Sequence, residues 1–250
     1  MSVVKRHIAI GFAAAVTALA VAACSSDPGP AGGTPTGDGG TASGDGAPSG
    51  PSTPIGQDVT GIATYYDATG EGACSFDASP GDLDVAAMNA SQYGDSSVCG
   101  ECVAIDGPKG KVTVRIVDKC PDCNTGHLDL SESAFAKIAD VSAGRVSITW
   151  RVVSCPVTGN ITYHYKDGSN EDWTAIQVRN HRLPIAKLEM SSGGSFVNVK
   201  REDYNYFVNS KGAGAGPVKV RITAIDGQTI EDTLKPVASD IDAPGASQFK

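Results

Sequence analysis

Beyond residue 23 the chain has no apolar run long enough to cross a bilayer as a helix, since a span needs about 20 such residues. It also lacks a basic excess. Residues 58–156 carry 14 Asp and Glu against 7 Lys and Arg, and residues 157–250 carry 11 of each. A polyanion-binding surface needs clustered positive charge, so no nucleic-acid partner is expected, and a neutral polymer fits better than an acidic one. Residues 25–57 are Gly, Pro, Ser, Thr, Ala, Asp and Gln, with Ile55 the only larger apolar residue. Such a segment cannot bury enough surface to fold. No cysteine follows Cys155, so the last part of the chain relies on its apolar core alone.

What is present begins with an export pattern. Lys5 and Arg6 precede an apolar stretch over 8–23 that ends Val21-Ala22-Ala23-Cys24. This reads as a signal peptide over 1–23 and resembles a bacterial lipobox, with Cys24 as the lipidated residue. Residues 24–57 then form a linker of roughly 30 Å root-mean-square reach. It would hold the folded part at the cell surface, touching the membrane only through the lipid. Cys24 is the odd one among seven cysteines. The other six (Cys74, Cys99, Cys102, Cys120, Cys123 and Cys155) are an even set suited to disulfides in an oxidising compartment.

The 193 residues from Asp58 onward suit two domains better than one small one. Alternating apolar residues and Gly-rich turns predict strands at 59–65, 102–105, 112–117 and 146–153, with one helix over 133–138. The run Gly110-Lys-Val-Thr-Val-Arg-Ile-Val-Asp-Lys-Cys120 is echoed by Gly144-Arg-Val-Ser-Ile-Thr-Trp-Arg-Val-Val-Ser-Cys155. Two similar strand units in one small domain predict a closed barrel with no exposed edges. Further strands are expected at 160–165, 173–180, 185–190, 196–199, 206–208, 218–224 and 229–233, the pattern of a β-sandwich. The expected domains are 58–156 and 157–250, with a loose tail over 239–250.

The most informative stretch is Gly126-His127-Leu128-Asp129-Leu130-Ser131. Its carboxylate lies between two leucines, a partly dry setting of the kind in which a carboxylic acid keeps a proton for a glycosidic oxygen. Asp118 ends an alternating strand eleven residues earlier. The competing reading is structural: Ser131 caps the helix that follows and Asp129 bonds its amides. The two CxxC pairs, Cys99-Gly-Glu-Cys102 and Cys120-Pro-Asp-Cys123, have zinc-like spacing, and the second alone is a redox motif. Export, and the further partners Cys74 and Cys155, favour disulfides.

Gly61-Ile-Ala-Thr-Tyr-Tyr66, Gly72-Ala-Cys74, Cys99-Gly-Glu-Cys102, Val117-Asp118 and His127-Leu-Asp129-Leu together resemble the expansins. So do Gly107-Pro-Lys-Gly-Lys-Val112, Trp150-Arg-Val-Val153, Ala175-Ile-Gln-Val-Arg-Asn-His181 and Asp203-Tyr-Asn205. The resemblance implies an all-β chain: a six-stranded double-psi β-barrel, then an immunoglobulin-like β-sandwich that acts as a family-63 carbohydrate-binding module. It implies a groove spanning both domains that binds cellulose and loosens it without hydrolysis.

Residue by residue, Asp129 matches the family aspartate equivalent to the catalytic acid of family-45 glycoside hydrolases. Asp118 and Thr64 match its polar neighbours. Trp173 and Tyr204 match two aromatics of the binding row, with Lys166 beside them. The third aromatic position holds Asp172. The family tyrosine two residues after the Asp118 position is Cys120 here, so that contact is lost or passes to Tyr65 or Tyr66. The implied disulfides are Cys74–Cys99, Cys102–Cys155 and Cys120–Cys123. Trp173 is expected to be exposed among polar neighbours, and Trp150 to lie in the core. Asp67 stands where the family more often has glycine. That keeps a weak endoglucanase open as the alternative, and a lipid-anchored cellulose adhesin is the third reading. No metal or cofactor is expected, and the chain is expected to act as a monomer.

Overall fold

The computed structural model describes residues 54–250; the export signal, Cys24 and nearly all of the linker lie outside the described residues. The first domain is built from β1 (Val59–Tyr66), β2 (Val85–Asn89), α1 (Ala90–Tyr93), β3 (Cys102–Asp106), β4 (Lys111–Cys120), β5 (His127–Ser131), α2 (Glu132–Ile138) and β6 (Val146–Val153). Its strands close into a barrel in the order β1-β5-β2-β4-β3-β6. The β1–β5 and β2–β4 pairs are parallel and β1 returns to pair antiparallel with β6. Closure leaves no unpaired edge, as the echoed strand units predict; those units, β4 and β6, both flank β3.

Alternation explains most of the barrel core. Val112, Val114 and Ile116 point inward along β4, and Ile148 and Trp150 along β6. Trp150 is buried, and its Nε1–H donates to the Gly126 carbonyl at 2.9 Å. Two strands of the barrel escaped the sequence pattern. All five residues of β2 are buried, so it has no period-2 signal. The run expected only to precede a helix is itself β5, and the helix starts directly at its end. Ser131 is the cap as expected, its Oγ accepting from the Ala134 amide at 3.1 Å.

The second domain contains β7 (Thr162–Tyr165), β8 (Thr174–Arg179), β9 (Ile185–Ser192), β10 (Ser195–Arg201), β11 (Phe207–Asn209), β12 (Val218–Ala224), β13 (Thr229–Leu234) and β14 (Ile241–Pro244). Their order is β13-β12-β9-β10-β11-β8-β7-β14. β10 pairs with β9 through Ser195–Val199 and with β11 through Lys200 and Arg201, so one strand carries the chain from one layer of the sandwich to the other. Ile161, Tyr163, Tyr165, Ile176, Leu188, Val220 and Ile222 form the cysteine-free core.

Two boundaries differ from the sequence reading. The C-terminal residues are no loose tail: β14 pairs with β7, the Ile161 amide donates to the Ser247 carbonyl, and Phe249 is buried. At the other end, residues assigned to the linker already belong to the fold. The Ile55 and Gly56 amides both donate to the Val152 carbonyl, and Ile55 packs on the sandwich core.

The described residues, 54–250, belong to one compact unit. Barrel and sandwich meet through hydrogen bonds to backbone carbonyls. Tyr93 donates to Asp203 O (2.9 Å), Ser96 to Glu202 O (2.8 Å), and Gln177 and Asn205 to Cys74 O (2.9 and 3.2 Å). His181 is buried, with Nδ1 2.9 Å from the Leu183 carbonyl, and it lies so close to Gly100 that a Cβ there would come within 2.5 Å of its Nε2. Disulfides join Cys74 to Cys99, Cys102 to Cys155 and Cys120 to Cys123. The four-thiolate zinc alternative is thereby excluded, because each sulfur is already bonded.

Candidate functional site

Strand register places the candidate residues in one row. Thr64 of β1 pairs with Asp129 of β5, Asp129 with Ala87 of β2, and Ala87 with Asp118 of β4. Thr64, Asp129 and Asp118 are each partly exposed, so they line the outside of the barrel. With about 4.8 Å per strand, the two aspartate backbones stand about 10 Å apart. Buried Ala87 lies between them, too small to fill the gap.

Asp118 reaches this face through an irregularity. Period-2 alternation from Val112, Val114 and Ile116 would turn residue 118 into the core. The β2–β4 register instead shifts between Ala86 and Ala87, whose partners are Ile116 and Asp118. Val117 is the extra residue and is fully buried. The bulge turns Asp118 out. Its Oδ1 then accepts from the Ala73 amide at 2.7 Å and from its neighbour Lys119 at 2.8 Å.

The leucines beside Asp129 do not surround it. In a strand, successive side chains take opposite faces; Leu128 and Leu130 fill the core while Asp129 faces out. Nor does Asp129 cap α2, a role held by Ser131. The Thr64 hydroxyl donates to Asp129 Oδ1 at 2.5 Å, and the Thr64 Oγ1 lies 2.9 Å from His127 Nε2. With the threonine proton on the Asp129 side, His127 must donate through Nε2–H. Burial lowers the His127 pKa, Arg145 lowers it further and Asp129 opposes both, so the ring is neutral at ordinary pH. Sequence reasoning quoted His127 only as part of a motif; the strand alternation of His127 and Asp129 was the available signal for their shared face.

Of the two tyrosines that could stand in for the aromatic implied at the Cys120 position, Tyr66 is the one on the carboxylate side. Tyr65 turns the other way and packs on Phe135, ring centroids 5.0 Å apart. Tyr66, two residues after Thr64, shares its face. Burial raises the Tyr66 pKa, and the Asp118 and Asp129 charges raise it further, in that order. Its hydroxyl is buried and has no hydrogen-bond partner among the described residues. Asp67 is exposed, one residue past the end of β1.

On the sandwich, Trp173 immediately precedes β8. Its backbone bridges Asn170, whose amide donates to the Trp173 carbonyl at 2.8 Å while its side chain accepts the Trp173 amide at 3.1 Å. Trp173 is half-buried, less open than its polar neighbours predict and outside the core. Tyr204 sits in the turn that docks on the barrel; its ring is 6.0 Å from that of Tyr206. Lys166 Nζ stands 5.6 Å over the Tyr206 ring. Tyr206 is an aromatic neighbour that the sequence reading treated only as part of a strand. It is 4 % exposed, so it supports the platform from below. Asp172 is exposed and offers no stacking face.

A family model described as lytic transglycolase matches residues 58–150, the barrel. Expansin-YoaJ of Bacillus subtilis is 43 % identical over 182 residues, covering 70 % of this chain and 77 % of that protein. The chain belongs to the expansin family. Expansin-like protein 2 of Dictyostelium discoideum is 36 % identical over 199 residues, covering 75 % of this chain and 49 % of that protein. Among solved structures, an expansin from Clavibacter michiganensis superposes with a TM-score of 0.73 at 30 % identity in a mutant form complexed with cellohexaose, covering 78 % of this chain and 98 % of that one. This expansin carries Thr64, Asp129 and Asp118 on the outer face of its barrel and the candidate residues Trp173, Tyr204 and Lys166 on its sandwich.

Proposed function

We propose that this expansin binds cellulose or a related β-glucan along a trough spanning the barrel and the sandwich, and loosens it without hydrolysis. The observation that carries the reading is the Thr64–Asp129–Ala87–Asp118 row, whose threonine and two aspartates are partly exposed on the outside of the barrel. A glucan chain presents hydroxyls at its edge and CH groups on its ring faces. The row binds the hydroxyls. Trp173 and Tyr204 stack on the ring faces, and Lys166 reaches hydroxyls beside them. Asp129, oriented by Thr64, grips one sugar and competes with the hydrogen bonds between glucan chains.

Inverting hydrolysis needs a base on the opposite side of the sugar ring from the acid. Asp118 and Asp129 rise from the same sheet face, and two backbone amides already occupy Asp118 Oδ1. They serve as a pair of grips on one side of the polymer. The Lys5–Cys24 export pattern supports delivery to the cell surface on a lipid anchor.

Asp129→Ala is expected to abolish weakening of filter paper while leaving binding to insoluble cellulose within about threefold, because the aromatic row carries most of the affinity. Loosening that survives in the variant sinks the reading. Soluble reducing sugar released by the wild type, and lost in Asp67→Ala, would instead establish a hydrolase. Binding with no loosening by the wild type would establish an adhesin. Trp173→Ala is expected to weaken cellulose pull-down about tenfold, from about 1–2 kcal/mol of lost apolar contact.

A further inference from the structure

The glucan reading leaves the Cys120-Pro121-Asp122-Cys123 segment without a role. Its bridge differs from the other two in exposure. Cys74, Cys99, Cys102 and Cys155 are 0 %, 3 %, 5 % and 2 % exposed. Cys120 and Cys123 are only half-buried, and Pro121 and Asp122 between them are exposed. It differs also in span, closing three residues against 25 and 53 for the others. Breaking so short a loop releases little chain entropy, so the fold loses little when it opens. Exchange with an external thiol requires access to a sulfur, which among the three only this bridge offers.

Its position ties it to the trough. Cys120 is the last residue of β4, paired with Asn89, and two residues beyond Asp118. It therefore lies about 7 Å along the same face of the strand. The segment that follows leads straight into β5 and Asp129, and the bridge pins its start. The Cys123 amide donates to the Cys120 carbonyl, and the His127 amide to Asn124 O at 3.0 Å.

We propose that Cys120–Cys123 is a thiol–disulfide exchange site on the rim of the trough. A dithiol reductant attacks one sulfur as a thiolate, forming a mixed disulfide and releasing the other cysteine as a thiolate. The second thiol of the reductant then displaces the first cysteine. The reductant leaves as a disulfide, two electrons pass to the protein, and the reductant's two protons end on Cys120 and Cys123. Opening relaxes the connection between β4 and β5, and with it the backbone that holds Asp118, while the buried bridges keep the barrel intact.

The test uses the whole folded protein and needs no glucan, so it is independent of the cellulose reading. Graded dithiothreitol followed by iodoacetamide and peptide mapping is expected to label Cys120 and Cys123 at dithiol concentrations at least about tenfold below those that open the other pairs. Hydrogen exchange on the selectively opened protein is expected to speed about tenfold at the Ala73 and Lys119 amides, which donate to Asp118 Oδ1, with β3 unchanged. The double variant Cys120→Ser, Cys123→Ser should reproduce the faster exchange without reductant. Opening of all three bridges together, or unchanged exchange at Ala73 and Lys119 after selective opening, overturns the proposal.

Discussion

Gly61→Ala should destabilise the barrel by about 3–5 kcal/mol and disturb the trough although residue 61 touches no ligand. A Cβ at that position would stand 1.8 Å from the Gly126 carbonyl oxygen and 3.2 Å from Trp150 Nε1. The obstacle is backbone, so no side-chain rotation relieves it. That carbonyl also accepts the Trp150 indole hydrogen bond. Displacing it leaves a buried N–H unsatisfied, itself worth about 1–3 kcal/mol, and pushes on the chain directly ahead of β5. Ile62 pairs with His127 and Thr64 with Asp129; a shift there alters the threonine–aspartate bond that orients the grip. Urea unfolding measures the stability term, and cellulose loosening by the remaining folded protein measures the other. Gly81→Ala is the control, since a Cβ there meets nothing within 4 Å, and it should change stability by less than about 0.5 kcal/mol. Equal effects at the two glycines would show that the contact with Gly126 is tolerated.

The legibility of the sequence followed the physics of each element. Strands with one buried face, β4, β6 and β12, announced themselves by alternation. β2 did not, because burial on both faces erases the pattern. β14 contains Asp and Pro in its four residues, and such a strand survives only at an edge, as it does here beside β7. The residue types of the trough were legible from the family resemblance, but their geometry was not. Nothing in Val112 to Asp118 marks Val117 as a bulge, and without the bulge Asp118 would point into the core. The resemblance implied an aromatic at the Cys120 position; telling which of Tyr65 and Tyr66 stands on the carboxylate side required knowing which face of β1 each occupies. The dry setting imagined for Asp129 came from reading sequence neighbours as spatial ones, which fails in any strand because adjacent side chains diverge.

Glu101→Gln should stabilise the protein at alkaline pH and have little pH-dependent effect near pH 4.5. Glu101 lies between two disulfide cysteines at the entry to β3 and is 6 % exposed. Burial alone pushes its carboxyl up to about 8. The unfolded chain ionises this group near 4.5, so the folded state binds the extra proton between those values. Its contribution is fully present below about pH 4.5 and is lost as pH rises through about 8. His181 works in the opposite sense. Burial draws its pKa down to about 4 from 6.5, so its contribution is present above 6.5 and is lost as pH falls through 4. Between about 4.5 and 6.5 the two slopes oppose each other, and stability is nearly flat with respect to this pair. From 6.5 to 8 only the glutamate slope remains, about 1.4 kcal/mol per pH unit. The wild type should therefore weaken through that interval, while the glutamine variant, with no proton to lose, should not. By pH 8 the pH-dependent gap between them should reach about 4 kcal/mol, read as the difference in urea unfolding free energy relative to pH 4.5. Parallel stability curves for the two proteins from pH 5 to 8 would mean that Glu101 is hydrated in the folded state. A buried acid beside the domain junction would then have no hold on the pH range in which this expansin stays folded.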